Sequence, residues 1–443
     1  MKKYFLYVGL IMISLLGTDL TDFALSIWVL KQPEGTITSY SMIWFFEAAP
    51  AVLLAPFIGS FVDRWSKKKI IIYGQIVTGI GSIILMSLFY FEHLQPWHIM
   101  IVSGIGSIAS MFVFSAFYVA TTALVSKDRL IKAQGVSTAI YAAISIGVPV
   151  VSPVLFKMIG MERIFMIDII TFLISILAFL MIRFVVVSKT EEEFNFRKDW
   201  KLVKEFLKER KGLRSLLGFF FIIGFLIGLI KVLFTPLILD FSNEYYLGLV
   251  LSVVGIGTLI GGGVMSMSKK IEHPIRTIFN VNILLGVILG CLWINVNLYV
   301  LAIGGMLAVL LFTISDIMNN AFFQAVVPTK MLGRLSGFVG LVIGTSEPLS
   351  YMLSGVFVDY LSNIVSDVSH EFSNHFPGTT ITIAIILIFT ISGVMLTIVS
   401  YLFQRNKGIR NLDTIYQEKL KKEVKDPSEH NKNAAHINSP SIK

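Results

Sequence analysis

Apolar residues run along this chain in long, nearly uncharged blocks, each closed by a short polar stretch. The blocks lie at roughly 5–30, 39–61, 70–91, 97–124, 133–158 and 162–187, then, after a charged stretch, at roughly 213–239, 245–267, 275–296, 298–325, 335–360 and 379–403. A hydrocarbon core about 30 Å thick needs ~20 apolar residues per helix. Strands of a membrane barrel would instead show ~10 residues of alternating pattern. The pattern therefore predicts an all-α integral membrane protein with twelve crossings. A soluble helix keeps a polar face, and these blocks carry none over many turns. The first block follows Lys2 and Lys3 as a signal peptide would, but it continues past Trp28 and carries Asp19 and Asp22. It reads as a retained first helix.

The polar stretches add an orientation. Of the 37 Lys and Arg, all but Lys31, Lys157, Arg163 and Lys231 fall on one side of this topology. Basic residues accumulate on the cytoplasmic side, so both termini are expected there, in a multi-pass protein of the cell membrane. The charge of +9 is thereby read as an orientation signal and an attraction to the lipid bilayer, not to nucleic acid. Composition agrees, with 55% hydrophobic and 15% charged residues and a mean hydropathy of +0.77. Cys291 is the single cysteine, which rules out an internal disulfide.

The expected organisation is an N-terminal six-helix bundle at 1–187, a cytoplasmic linker at 188–212, a C-terminal six-helix bundle at 213–404 and a cytoplasmic tail at 405–443. In the linker, Trp200, Val203 and Leu207 share a helical face, as an interfacial helix requires. In the tail, Ile409, Leu412, Tyr416 and Leu420 predict a second amphipathic helix, and 426–443 is polar enough to be disordered. The bundles also echo each other. Leu124-Val-Ser, Leu130, Lys132 and Gly135 match Val326-Val-Pro, Leu332, Arg334 and Gly337 at an offset of 202, and Gly59 with Ser66-Lys67-Lys68 matches Gly261 with Ser268-Lys269-Lys270 at the same offset. Parallel six-helix repeats are a transporter design, with the substrate site between them near the midplane.

Between the second and third blocks stands Gly59-Ser-Phe-Val-Asp63-Arg64-Trp-Ser-Lys67-Lys68-Lys69. Gly59 lets two helix ends approach. Asp63 can accept from a helix N-terminus or pair with a basic residue, in a contact that breaks when the bundles rock.

With this loop the chain resembles the major facilitator superfamily, whose loop signature is G-x-x-x-D-R-x-x-[RK]-[RK]. More narrowly it resembles the drug-efflux branch containing macrolide efflux proteins and the enterobactin exporter. The residues carrying that likeness are Thr21 to Val29, Pro50, Pro56, Ile99 to Val102, Ile167-Asp168 and Gly333-Arg334. The resemblance implies a proton-driven exporter with alternating access, in which helices 1, 4, 7 and 10 line the cavity. The chain departs from the family pattern in helix four, where Ser103-Gly-Ile-Gly106 carries no arginine. Its helix-five antiporter signature, the segment expected to change conformation, is reduced to Ala143, Gly147, Pro149 and Pro153, and Met265 stands opposite Asp63 in the second repeat.

Charges inside a membrane span are costly and mark pathways or pairs. Here they are Asp19 and Asp22 in helix one, Glu47 in helix two, Asp168 in helix six, Lys231 in helix seven, Asp316 in helix ten and Glu347 in helix eleven. Asp19 and Asp22 share a face and can bind a cation or take protons. One of them can equally be held in an ion pair with Lys231, and so can Glu347, which stands beside the helix-bending Pro348. Asp168, on a presumed outer helix, fits a structural hydrogen-bonding role. The acidic excess favours cationic or amphiphilic substrates.

No G-x-x-x-x-G-K-[ST] loop, H-E-x-x-H motif or clustered histidine set is present, so neither an ATPase nor a metal-dependent enzyme is expected. The expected function is export of small amphiphilic compounds (a drug, antibiotic, siderophore or peptide metabolite) by a monomer without cofactor, driven by protons. A lipid or nutrient carrier is the alternative within the same class; a receptor or assembly protein that does not transport is the alternative outside it.

Overall fold

The computed structural model describes residues 2–33, 35–125, 130–181, 196–268, 271, 273–327, 329–368 and 376–425, and the side chains of some of these, including Gly59, Asp63 and Arg64, lie outside the described set. A bilayer offers backbone groups no water, so each segment must satisfy its own hydrogen bonds, and the helix does this within one segment. Every described element is accordingly helical: α1 (Lys2–Leu30), α2 (Ile37–Arg64), α3 (Lys67–Tyr90), α4 (Pro96–Leu124), α5 (Leu130–Met181), α6 (Phe196–Glu209), α7 (Lys211–Phe241), α8 (Glu244–Met267), α9 (Pro274–Cys291), α10 (Leu298–Val326), α11 (Thr329–Gly344), α12 (Ser346–Val368), α13 (Thr380–Gln404) and α14 (Lys407–Lys425). Side-chain caps fix several starts. Asn243 accepts from Tyr245 N at 3.0 Å to open α8, and Asn297 accepts from Val300 N at 2.9 Å to open α10.

Eleven helices among the described residues are long and apolar enough to cross a membrane, and one of them, Gly135–Leu180, has 46 residues. That helix doubles back at Gly160, whose φ of 78° and ψ of 168° suit glycine. The reversal is visible in its contacts with α1. Ser152 donates to the Leu20 carbonyl at 2.8 Å, while Asp168 accepts from Thr18 at 3.1 Å. In a straight helix residues 152 and 168 would stand about 24 Å apart, not beside one turn of α1. The predicted fifth and sixth helices are thus the two limbs of α5, and the count is compatible with twelve crossings.

The predicted eleventh helix departs the other way, splitting at Thr345 into α11 and α12. Pro348 lacks the amide that would bond to the Gly344 carbonyl, and it is tolerated in the first turn of a new helix. Glu347 therefore opens a helix instead of lying within one.

Helix pairing repeats along the chain. α2 packs on α4, and α3 on α4 and α5; correspondingly α8 packs on α10, and α9 on α10 and α13. The segments before and after α6 meet through α2 with α12 and α5 with α8. The amphipathic α6 does not turn its apolar face to lipid. Val203 and Leu207 are buried against Leu213, Leu217 and Leu335, and the Trp200 ring lies 4.7 Å from that of Phe338.

Asp168 is buried and structural in its contacts, accepting from Ser82 of α3 at 2.6 Å and from Thr18 of α1 at 3.1 Å. Asp168→Ala should leave the two hydroxyls with only their longer bonds to backbone carbonyls, Thr18 to Ser14 at 3.2 Å and Ser82 to Thr78 at 3.4 Å, at about 1–3 kcal/mol for the lost buried bonds. The apparent Tm of the detergent-purified variant should fall by several degrees. An unchanged Tm would mean that these bonds contribute nothing.

Candidate functional site

Two ends of the molecule are distinguished by what lies at them: the linker end, where α6 and α14 sit, and the distal end. Polar contacts between the N-terminal and C-terminal helices gather at the distal end. Lys31 pairs with the buried Glu244 at the start of α8, and its ammonium also lies 5.8 Å from the Phe156 ring centroid. Thr38 of α2 donates to Asp359 of α12 at 2.5 Å. Gly355 of α12 rests directly on the Thr38 backbone, and a Cβ there would come within 2.6 Å of the Thr38 nitrogen. Further in, Gly248 of α8 is packed against Val150 and Val154 of α5, and Gly255 against Ile146. Of the helix-five residues, Pro149 and Pro153 are sequence neighbours of these contacts, whereas a Cβ on Gly147 would meet nothing within 4 Å.

Midway along the spans the charged residues converge. The Lys231 ammonium of α7 lies 3.4 Å from Glu347 Oε2 of α12, and the Tyr351 hydroxyl donates to the same oxygen at 3.1 Å. Glu347, in the first turn of α12, also faces the positive end of that helix's dipole. The Lys231 side chain is 62% exposed and that of Glu347 39%, although both lie on membrane-spanning helices. Groups this open at mid-span line a void. Asp316 of α10 is exposed, accepts from Asn320 at 3.2 Å, and lies within electrostatic reach of Glu347.

Opposite stand Asp19 and Asp22 of α1 and Glu47 of α2. Asp22 lies within electrostatic reach of Glu47 and Asp19, and Glu47 within reach of Lys231. Among the described residues none of these three carboxylates has an ion-pair partner. Lys231 is thus paired with Glu347, not with Asp19 or Asp22. The arrangement is asymmetric: among the described residues the C-terminal side has the Lys231–Glu347 pair and one unpaired acid, Asp316, and the N-terminal side three unpaired acids. A separate apolar cleft of about 600 Å³ runs between α1 and the first limb of α5, walled by Leu16, Leu20, Ala143, Ile144, Gly147 and Val151 with no charged residue in its lining. Chemically the cleft suits an apolar body, and the three carboxylates suit a cation.

Of the loop residues named from the sequence, Lys67 is buried, Lys69 is exposed, and Lys68 donates to the Leu180 carbonyl at 3.3 Å, tying α3 to α5. The side chains of Gly59, Asp63 and Arg64 lie outside the described residues. Sequence reasoning missed Tyr351, although its spacing of four from Glu347 places both on one face. It also missed the distal contacts, which join residues far apart in the chain and leave no local signal.

A family model described as Major Facilitator Superfamily matches residues 8–348. Macrolide efflux protein A of Streptococcus pyogenes is 25% identical over 366 residues, covering 81% of this chain and 90% of that protein. Among solved structures, the nucleoside transporter NupG superposes with a TM-score of 0.68 at 12% identity, over 91% of this chain and all 100% of the other. A bacterial homologue of the human lysosomal transporter Spinster gives 0.67 at 13% identity, over 95% and 99%. At such identities the structural likeness speaks for the fold alone.

Proposed function

The chain belongs to the Major Facilitator Superfamily, and from that premise we propose that it exports amphiphilic, cation-bearing compounds, macrolide antibiotics among them, by proton-coupled alternating access. The observation that carries this reading is the trio Asp19, Asp22 and Glu47, without ion-pair partners among the described residues; an apolar cleft on the α1–α5 side of α1 supports the amphiphilic part of it. A cationic amine placed at the trio gains charge compensation that the paired Lys231 and Glu347 do not need, and the cleft suits an apolar body. Protons compete for the same carboxylates. Protonation releases the cation on one side of the membrane, and deprotonation readies the site on the other.

Closure at the distal end by Lys31–Glu244, Thr38–Asp359 and Gly355, together with the openness of Lys231, supports a state open toward the linker end. With both termini in the cytoplasm of a cell-membrane protein, that is the loading state of an exporter. The bundles 1–187 and 213–404 rock about the cavity, the Gly59–Lys69 loop forming and breaking contacts on the cytoplasmic side, and the α5 limb that carries Gly147, Pro149 and Pro153 sliding on α8.

The test is transport by the purified full-length protein in liposomes. With a pH gradient imposed, a labelled macrolide should accumulate against its own gradient. Accumulation that persists after an ionophore collapses the pH gradient would remove the proton coupling. Absence of any macrolide movement, with the protein folded and correctly inserted, would remove the substrate class.

A further inference from the structure

A second polar cleft lies far from the carboxylate cavity, at the linker end, where α9 begins, α13 ends and α14 folds across. It encloses about 580 Å³ and is lined by Arg276, Arg405, Arg410, His273, Gln404 and Asp413, with a floor of Phe279 and Ile409. Asp413 is the one acid in that lining, and its two oxygens are already engaged. They accept from the Ile275 amide at 2.9 Å and the Arg276 amide at 3.3 Å, capping α9. Arg405 leans on the Tyr401 ring at 4.4 Å from its centroid. Among the described residues neither Arg276 nor Arg410 has an ion-pair partner. Three guanidinium groups thus face one carboxylate, which caps α9 and offsets only part of their charge, chiefly that of Arg276.

What surrounds the cleft points to one occupant. One turn deeper, Gln404 donates to Asn280 at 2.7 Å, bridging α13 to α9 with a polar rung. Beyond that rung the same face of α9 becomes apolar and exposed at Leu284 and Val287, and on α13 the face that carries Arg405 does so at Ile398 and Leu402. The sequence of surfaces, guanidinium, then amide, then hydrocarbon, follows that of a phospholipid from headgroup to acyl chain. A free phosphate would use the first layer only.

We propose that this cleft is a binding site for the phosphate headgroup of an anionic phospholipid, with its acyl chains lying along α9 and α13. Arg276 and Arg410 bind the phosphate, and the lipid holds α14 against the C-terminal helices. The site uses none of the cavity carboxylates, so it stands or falls apart from the transport reading.

The test uses full-length protein in phosphatidylcholine nanodiscs, titrated with dioleoyl phosphatidylglycerol and read by the lipid retained per protein. Phosphatidylglycerol should be retained selectively, and inorganic phosphate at the same concentration should not displace it. Arg276→Gln with Arg410→Gln should weaken retention about fivefold for each guanidinium removed, the order expected for a basic residue near an anionic lipid. Arg276→Lys with Arg410→Lys should keep most of it. Equal retention by wild type and the Gln pair would overturn the proposal, as would displacement by inorganic phosphate. Should the Gln pair fail to fold, a photoactivatable phosphatidylglycerol decides on the wild type. Labelling on α9 and α14 supports the site, and labelling confined to other helices overturns it.

Discussion

Asp22→Asn is expected to lower accumulation of a cationic macrolide in loaded liposomes on the order of a hundredfold, the protein remaining folded and inserted. The size follows from Coulomb's law. A charge removed about 6 Å from a bound cation, at the effective dielectric of ~20 suited to protein interiors, forfeits close to 3 kcal/mol. The substitution keeps the shape of the side chain and should leave stability near that of wild type, since Asp22 makes no ion pair among the described residues that it would break. Neutral substrates of similar size supply the control. If Asp22 acts through charge, their binding survives while the cation's is lost. A variant that binds cationic and neutral compounds in the wild-type ratio would remove Asp22 from the site. Asp19→Asn should act in the same direction. Lys231→Met should act differently, because it frees Glu347 as a further acid and should improve binding of cations while upsetting release.

The crossings were legible in the sequence because the bilayer imposes one rule on every span: about twenty apolar residues without interruption. Gly160 reverses α5 by one backbone angle with no polar loop to announce it, yet the few polar residues around Glu162 and Arg163 were enough to set the predicted limits at 158 and 162, on either side of it. The place where that reading slipped has a specific cause. Thr345 breaks a span whose apolar pattern runs straight through. Pro348 hinted at a bend, but the break falls three residues earlier, which turns Glu347 from a mid-helix residue into a helix-opening one.

For the candidate site, composition identified the charged residues and no rule of spacing could pair them. Lys231 had three carboxylate candidates in the sequence, and only the meeting of α7 with α12 selects Glu347. The linker helix shows the opposite case. Its amphipathic face was plain in Trp200, Val203 and Leu207, yet periodicity does not say whether an apolar face meets lipid or protein; here it meets α7 and α11. Gly355 carried no signal at all, being one glycine among 34. Its importance arises wholly from the Thr38 backbone that it touches.

That contact sets up the second large effect. Gly355→Val should hold the distal end open and stop transport while leaving the cavity carboxylates intact. The added Cβ would overlap the Thr38 backbone, which, unlike a side chain, cannot turn aside. The two helices must separate there, and Thr38 would lose its bond to Asp359. Overpacking of this kind costs about 1–3 kcal/mol. Borne by the distal-closed state alone, such a cost shifts the two-state equilibrium by roughly 5- to 150-fold. Spin labels on Ser39→Cys and Tyr360→Cys, in a Cys291→Ser background, report the gap between α2 and α12. With Gly355 in place the distance distribution should be short. In the Gly355→Val variant it should move longer by several ångströms, and substrate should bind from the distal side without being carried across. A distribution unchanged by the substitution would show that the contact yields without opening the end, and the gating role of Gly355 would be lost with it. Gly355→Ala separates degree from kind. It introduces the same first clash with less bulk, so its shift and its residual transport should fall between those of wild type and the valine variant.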